Sequence, residues 1–182
     1  MVKNVSKSIM LLLTFAFFLG NCSGLRKADS PYRTTSNTPK KTNTRKKSVT
    51  TKESSIRKNV VSQALKCKGT KYKYGGRSLK GFDCSGLTTY VMKKVNIDIS
   101  GSSRTQSKKG KKVAISKAKP GDLVFFSHRK GQVNHVAIVV KNGKSGLEVI
   151  HSTSSKGVVI QNVSRSNYWK PRMLFARDII GK

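Results

Sequence analysis

The stretch Gly81-Phe82-Asp83-Cys84-Ser85-Gly86-Leu87 marks the point where a glycine-rich loop, Tyr72-Lys73-Tyr74-Gly75-Gly76, passes into a helix. Apolar residues recur at helical spacing between Leu87 and Val95, so the helix is predicted to begin near Cys84. Unpaired backbone N–H groups and the helix dipole favour an anion at such a terminus. The Cys84 thiol is therefore predicted to ionise easily and to act as a nucleophile.

A second helix is predicted on the N-terminal side of this loop. Either Ser54 or Ser55 could cap it, and Gly69 would end it. Its predicted buried face consists of Ile56, Val60, Ala64 and Leu65.

The periodicity changes from helical to alternating after Pro120-Gly121. Helices followed by consecutive strands with short connections are typical of an α+β domain, with N-terminal helices packed on an antiparallel sheet of about five strands. The predicted strands cover residues 122–126, 135–140, 147–151, 157–160 and 173–177.

Two histidines lie at equal distances from a predicted turn centred on Gly143. Residues equidistant from a hairpin turn lie opposite one another on the same face, with their Cβ atoms roughly 4.5–5.5 Å apart. His135 and His151 are therefore predicted to touch, so that His135 takes the thiol proton and His151 holds its imidazole in the required tautomer. A register slip of one residue would place them on opposite faces.

A zinc site is the alternative for two histidines and a cysteine. The paired-ligand spacings of zinc sites are absent, and Asp83 is better suited to binding a cationic amine than to serving as a fourth ligand. No metal and no cofactor is predicted. His128 belongs to a basic loop and is predicted to be solvated.

The N-terminus has the pattern of a bacterial lipoprotein signal peptide. Lys3 and Lys7 precede a short apolar run that ends at Leu19-Gly20-Asn21-Cys22. This run is too short to span a bilayer. Residues 1–21 are predicted to be the signal peptide and Cys22 the lipidation site, although Asn21 stands where a small residue is usual. We expect an exported, membrane-anchored lipoprotein of the cell envelope, on the periplasmic or outer-membrane side.

Residues 22–53 are predicted to form a flexible basic tether, because large apolar residues are almost absent from them. The formal net charge of +31 favours anionic surfaces such as membranes, glycan or nucleic acid. Export and the lack of a recognisable nucleic-acid module argue against nucleic acid as a partner. Cys22, Cys67 and Cys84 are too few for a disulfide framework, so Cys67 is predicted to be a packed or partly exposed free thiol.

Four further motifs accompany the cysteine motif in a consistent order. They are Tyr72-Lys73-Tyr74-Gly75-Gly76, Pro120-Gly121-Asp122-Leu123-Val124-Phe125-Phe126, Asn134-His135-Val136-Ala137-Ile138 and Val149-Ile150-His151-Ser152. Together they resemble the NlpC-type family of bacterial cell-wall cysteine peptidases, which have a compact papain-like fold. The resemblance covers about residue 56 to the C-terminus, and the catalytic domain is placed at residues 54–182.

The resemblance implies roles for individual residues. Cys84, His135 and His151 correspond to the family's catalytic triad. Tyr72 corresponds to a tyrosine near the scissile carbonyl, and Asp83 and Ser85 to substrate-binding residues beside the nucleophile. Ser103 and Gln106 resemble a Ser-x-x-Gln segment that contributes to substrate binding, although Gly101 stands where an Arg is common.

The resemblance also implies a function. The chain is expected to be a monomeric peptidoglycan stem-peptide hydrolase that cleaves the γ-D-glutamyl–diamino acid bond through a thioacyl-enzyme. An N-acetylmuramoyl-L-alanine amidase on the same fold is one alternative. A non-catalytic lipoprotein that binds the cell wall is another, favoured by the charge and by the lost Arg at position 101.

Overall fold

The computed structural model describes residues 43–128 and 131–181, with side chains from residue 48 onward. The predicted signal peptide, the lipidation of Cys22 and residues 22–42 of the tether lie outside the described residues and stay predictions. Among the described helices, none is long and apolar enough to cross a membrane.

Apart from a separate two-stranded hairpin between the first two helices, the described residues form helices first and the main sheet afterwards, as predicted. The helices and strands are α1 (Asn43–Leu65), β1 (Arg77–Ser78), β2 (Gly81–Phe82), α2 (Cys84–Lys93), α3 (Ser103–Gln106), β3 (Lys111–Val113), β4 (Leu123–Phe126), β5 (His135–Gly143), β6 (Gly146–Thr153), β7 (Gly157–Asn162) and β8 (Met173–Asp178).

The main sheet has six strands in the order β3-β8-β4-β5-β6-β7, and every neighbouring pair is antiparallel. The predicted α+β class and all five predicted strands are confirmed. The sixth strand, β3, escaped prediction because it has only three residues, two of them exposed lysines, and so shows no alternation. It is defined by pairing with β8 at the sheet edge.

Helix α1 begins at Asn43, well before the predicted caps at Ser54 and Ser55. The last eleven residues of the predicted tether are therefore helical, and that part of the prediction is wrong. Residues 43–53 contain neither Gly nor Pro to stop a helix. At the end of this segment the carboxylate of Glu53 accepts a hydrogen bond from Arg57, one turn later.

Three of the four residues predicted for the inner face of α1 pack inward. Val60 and Ala64 are fully buried, and Ile56 packs against the same core. Leu65 is 40% exposed and was wrongly included. The helix stops there, and the turn that follows brings Cys67 into the core as a free, buried thiol, which confirms its prediction.

Both faces of the sheet are buried. Leu123 and Phe125 of β4 contribute to the cluster that includes α1 and α2, whereas Val124 and Phe126 contribute to a second cluster around Trp169. Alternation along a strand sends neighbouring side chains to opposite faces. A strand buried on both faces therefore reads as an uninterrupted apolar run, as Leu123–Phe126 does.

Candidate active site

Helix α2 begins at Cys84, and Asp83 caps it. The Asp83 Oδ1 atom accepts from the backbone N–H of Gly86 at 2.6 Å and from the Ser85 hydroxyl at 3.0 Å. Its Oδ2 atom accepts from the N–H of Gly75 at 3.0 Å. Asp83 therefore fixes the helix start and fastens the glycine-rich loop to it.

Gly86 lets this loop approach the first turn of α2. A Cβ atom at position 86 would lie 1.9 Å from the carbonyl oxygen of Gly76. Only glycine avoids this collision. The close approach explains why glycines occur both in the loop and directly after the cysteine.

Burial dominates the ionisation of the Cys84 thiol. Removal from water, followed by the nearby Asp83 carboxylate, raises the pKa of Cys84 to about 11, although backbone groups of Val136, Ser85 and Cys84 itself lower it. The prediction of an easily ionised thiol is therefore wrong for the free protein. The helix terminus acts in the expected direction but is outweighed, so the thiol needs a base.

His135 and His151 are in contact, as predicted. The Nε2 atom of His135 lies 3.0 Å from Nδ1 of His151, and the two ring centroids are 5.2 Å apart. Both side chains are buried, with exposed fractions of 7% and 0%. The pair is a direct hydrogen bond between imidazoles.

The hairpin that carries the two histidines differs from the predicted one. Strands β5 and β6 pair Gly143 with Gly146, so the turn is Lys144-Ser145. A register shift at Val140 then changes the pairing, so that Val139 lies opposite Val149. Without this irregularity, the observed turn would place the histidines on opposite faces. They meet as diagonal neighbours, whereas the sequence predicted a directly opposed pair.

Both imidazoles are neutral at neutral pH. Burial lowers the pKa of His135 well below 6.5, and the neighbouring His151 and His128 lower it further. Burial also lowers the pKa of His151 to about 4, against an opposing effect of its hydrogen bond to Gln161. A neutral imidazole can accept a proton, as a base must.

Several residues that surround the pair were missed by the sequence analysis. Trp169 stacks on His135 with ring centroids 4.7 Å apart, and it contacts His151 edge-on. Gln161 lies 3.3 Å from His151. His128, predicted to be solvated, is exposed but also contacts Tyr168 at 3.0 Å. Trp169 is the single tryptophan of the chain, and this rarity is the only feature of the sequence that could have pointed to one of the missed residues.

Cys84 and His135 open into one cleft of about 470 Å³. A larger cavity of about 950 Å³ lies around the C-terminal end of α2, away from the cysteine and the histidines, so size alone does not mark the site. The cleft is lined by Tyr72, Cys84, His128, Asn134, His135, Ser152, Thr153, Ser154, Ser155, Lys156, Gln161, Tyr168 and Trp169.

The predicted substrate-binding residues are not all at this cleft. Tyr72 lines it, and burial followed by the nearby Cys84 raises the pKa of its hydroxyl. Asp83 and Ser85 bond to each other beside the nucleophile. Ser103 is buried at the start of α3, outside the cleft lining. Gln106 is also buried, with its amide bonded to Thr88 and to the Ser85 carbonyl.

No group of three or more His, Cys, Asp or Glu side chains that could hold a metal ion occurs in the part of the chain that the structure describes. Nε2 of His135 bonds to Nδ1 of His151, and Nε2 of His151 bonds to Gln161.

The buried neutral histidines make stability depend on pH. An unfolded histidine binds a proton near pH 6.5, whereas folded His151 does so near pH 4. As pH falls through this window the unfolded state binds more protons, so the free energy of unfolding falls. From His151 alone we expect a loss of about 2 kcal/mol between about pH 7.5 and pH 5, measured by urea denaturation.

The matched variants are His151→Gln and His128→Gln. The first should weaken the pH dependence over this window, because it removes one of the two buried histidines and leaves the contribution of His135. The second alters an exposed histidine and should leave the profile close to that of the unmodified protein. An unchanged profile in His151→Gln would contradict the assignment.

Cys84 and His135 line one cleft, and His135 is hydrogen-bonded to the fully buried His151, an arrangement in which cysteine peptidases place nucleophile and base. Fold and site together define the papain-like class of cysteine peptidases. Within that class the chain belongs to the NlpC/P60 family, whose profile matches residues 69–178.

Individual relatives agree with this assignment. The chain is 40% identical over 125 residues to the gamma-DL-glutamyl hydrolase of Bacillus subtilis (strain 168), covering 66% of this chain and 29% of that protein. It is 31% identical over 129 residues to the murein DD-endopeptidase MepS/murein LD-carboxypeptidase of Escherichia coli (strain K12), covering 70% and 65%. The chain thus spans less than a third of the first relative's length.

Solved structures show the same fold. The NlpC/p60 domain of the peptidoglycan hydrolase SagA superposes with a TM-score of 0.58 at 35% sequence identity, covering 67% of this chain and 97% of that domain. An NlpC/P60 family protein from Bacillus cereus ATCC 10987 gives a TM-score of 0.63 at 31% identity, covering 68% and 40%. The resemblance stated from the sequence is confirmed.

Proposed function

We propose that the chain is a peptidoglycan endopeptidase that cleaves the γ-D-glutamyl–diamino acid bond of stem peptides through a Cys84-His135-His151 triad. The observation that carries the proposal is that His135, which is hydrogen-bonded to buried His151, lines the same cleft as Cys84. The choice of bond is supported by the similarity to a gamma-DL-glutamyl hydrolase.

The raised pKa of Cys84 and the lowered pKa of His135 support a starting state with a neutral thiol and a neutral imidazole in the same cleft. His135 takes the thiol proton as Sγ attacks the scissile carbonyl carbon. Separating these charges before attack is unfavourable in a buried site, so proton transfer accompanies bond formation.

Collapse of the tetrahedral intermediate needs a proton on the departing nitrogen. The His135 imidazolium donates the proton it received, the C–N bond breaks, and the glutamyl group remains as a thioester on Cys84. A water molecule then attacks the thioester with His135 again acting as base, which releases the carboxylic acid and restores the thiol. Backbone N–H groups near Sγ, including that of Ser85, are placed to stabilise the oxyanion.

The test is digestion of muropeptides that carry L-alanyl-γ-D-glutamyl-diamino acid stems, followed by mass spectrometry. The proposal expects a free L-alanyl-D-glutamic acid end and a new amine on the diamino acid. A new amine on L-alanine would instead identify an amidase and overturn the bond assignment.

Two cysteine variants serve as controls in the same digestion. Cys84→Ala should yield no products, whereas Cys67→Ala removes a buried thiol outside the cleft and should yield the same products as the unmodified chain. Retention on intact sacculi without any turnover would favour the non-catalytic binder and contradict the proposal.

A further inference from the structure

Gln161 extends the histidine pair by one more side chain. Its Oε1 atom lies 3.3 Å from Nε2 of His151, whose Nδ1 lies 3.0 Å from Nε2 of His135. These residues occupy the adjacent strands β7, β6 and β5. The result is a row of hydrogen bonds that runs across three strands and ends at the base.

With the amide oxygen of Gln161 facing His151, hydrogen-bond chemistry sets where each proton lies. An amide oxygen can only accept, so Nε2 of His151 must carry a hydrogen to bond with Gln161. A neutral imidazole has only one N–H group, so Nδ1 of His151 is an acceptor and Nε2 of His135 is the donor to it. The Nδ1 atom of His135 is then unprotonated.

We propose that Gln161 is a positioning residue that sets the tautomers of both histidines, so that His135 presents an unprotonated Nδ1 as the base for Cys84. This inference rests on the proposed function for its catalytic consequence. The proton arrangement itself does not depend on any substrate.

Reversing the Gln161 amide would reverse the whole row. If the amide NH₂ faced His151, its Nε2 would accept, its Nδ1 would donate to His135, and Nδ1 of His135 would carry the hydrogen. A protonated Nδ1 cannot take the proton of the thiol. The orientation of one side chain therefore separates a competent base from an incompetent one.

The proton positions can be measured directly by NMR of the full chain labelled with ¹⁵N-histidine. The chain has three histidines, and exposed His128 provides an internal reference. We expect both His151 and His135 to show a protonated Nε2 and an unprotonated Nδ1. In Gln161→Leu, which keeps a side chain of similar size but loses the acceptor, the two histidines should shift toward a mixture of tautomers.

Kinetics provide the second readout. Losing one neutral hydrogen bond should lower kcat of Gln161→Leu about 3- to 10-fold with KM unchanged. Gln161→Glu keeps an acceptor and should retain both the tautomers and most of kcat at about pH 8. The measurement is made at this pH because the new carboxylate raises the pKa of His151 above its value in the unmodified protein. Ile160→Ala, at the neighbouring exposed position of β7, reports the effect of disturbing the strand alone.

Unchanged tautomers in Gln161→Leu would overturn the inference, as would a loss of kcat no larger than that of Ile160→Ala. A rise in KM alone would show that Gln161 contacts substrate and does not act through His151. Because NMR needs no turnover, the inference can fail while the proposed function stands, and the reverse also holds.

Discussion

The variant His135→Ala is expected to lose about 10³- to 10⁴-fold in kcat/KM at neutral pH. Burial raises the pKa of the Cys84 thiol to about 11, so only about one molecule in 10⁴ carries a thiolate at pH 7 without a base. A positioned general base contributes a similar factor in many enzymes. The measurement is hydrolysis of a defined stem peptide under single-turnover conditions.

The residual activity of His135→Ala should have a distinctive pH profile. Because the thiol must ionise unaided, the rate should rise about tenfold per pH unit from about pH 7 to pH 10. His128→Ala is the matched control, since His128 lines the same cleft but is exposed and bonds to Tyr168. A flat profile in His135→Ala, or an equal loss in His128→Ala, would contradict the role given to His135.

The second large effect concerns stability. Arg57 on α1 is 7% exposed and lies between three carboxylates, with its Nη1 2.6 Å from Asp122, its Nε 2.8 Å from Glu53 and its Nη2 2.7 Å from Asp178. It also donates to the carbonyl of Pro120. One guanidinium thus ties the first helix to the start of β4 and the end of β8.

Arg57→Met should lower the free energy of unfolding by about 3–5 kcal/mol. The methionine replaces the apolar stem but leaves Asp122, which is 1% exposed, without its counter-charge. Removing one partner of a buried ion pair is far more destabilising than a surface change, because the remaining charge stays desolvated. Urea denaturation at neutral pH measures the difference.

Lys58→Met is the matched control for Arg57→Met. Lys58 is the next residue of α1, it is exposed, and the same substitution there should change stability by about 0.5 kcal/mol or less. If the two variants were equally stable, the carboxylate cluster would not be what holds α1 to the sheet.

The three carboxylates around Arg57 also affect how charge is distributed on the protein. The sequence contains seven acidic residues, and three of them surround Arg57. Asp83 is engaged as the cap of α2. Few acids are thus left to offset the basic surface residues. The excess of positive charge is therefore greater at the surface than the composition alone indicates.

Local features were predictable because local sequence determines them. The helix start near Cys84, the apolar stripe that follows it, the uninterrupted apolar run of β4 and the alternation in later strands each depend on neighbours a few residues away. The start of α1 was misplaced because residues 43–53 are polar and were assigned to the tether, although they contain no helix breaker. The packing of α1 depends on Arg57 and its distant carboxylates, which no local pattern reveals.

The candidate site likewise combines features that local sequence determines with features that only the tertiary structure determines. The sequence by itself determined the nucleophile's place at a helix start, because helix starts follow short-range rules, and it placed His135 and His151 on the two strands of one hairpin. Only the tertiary structure decided the register shift at Val140, and with it how the histidines meet. Only it brought Trp169 onto the pair, because that contact joins residues far apart in the chain.

The protonation states of Cys84, His135 and His151 could be assigned only from the tertiary structure. The helix terminus alone favours a thiolate at Cys84, but burial by surrounding elements reverses the balance and raises its pKa. Burial likewise keeps both histidines neutral. Desolvation depends on every atom packed around a group. The sequence therefore indicated Cys84, His135 and His151 as candidate site residues, and the packed fold decided their protonation states.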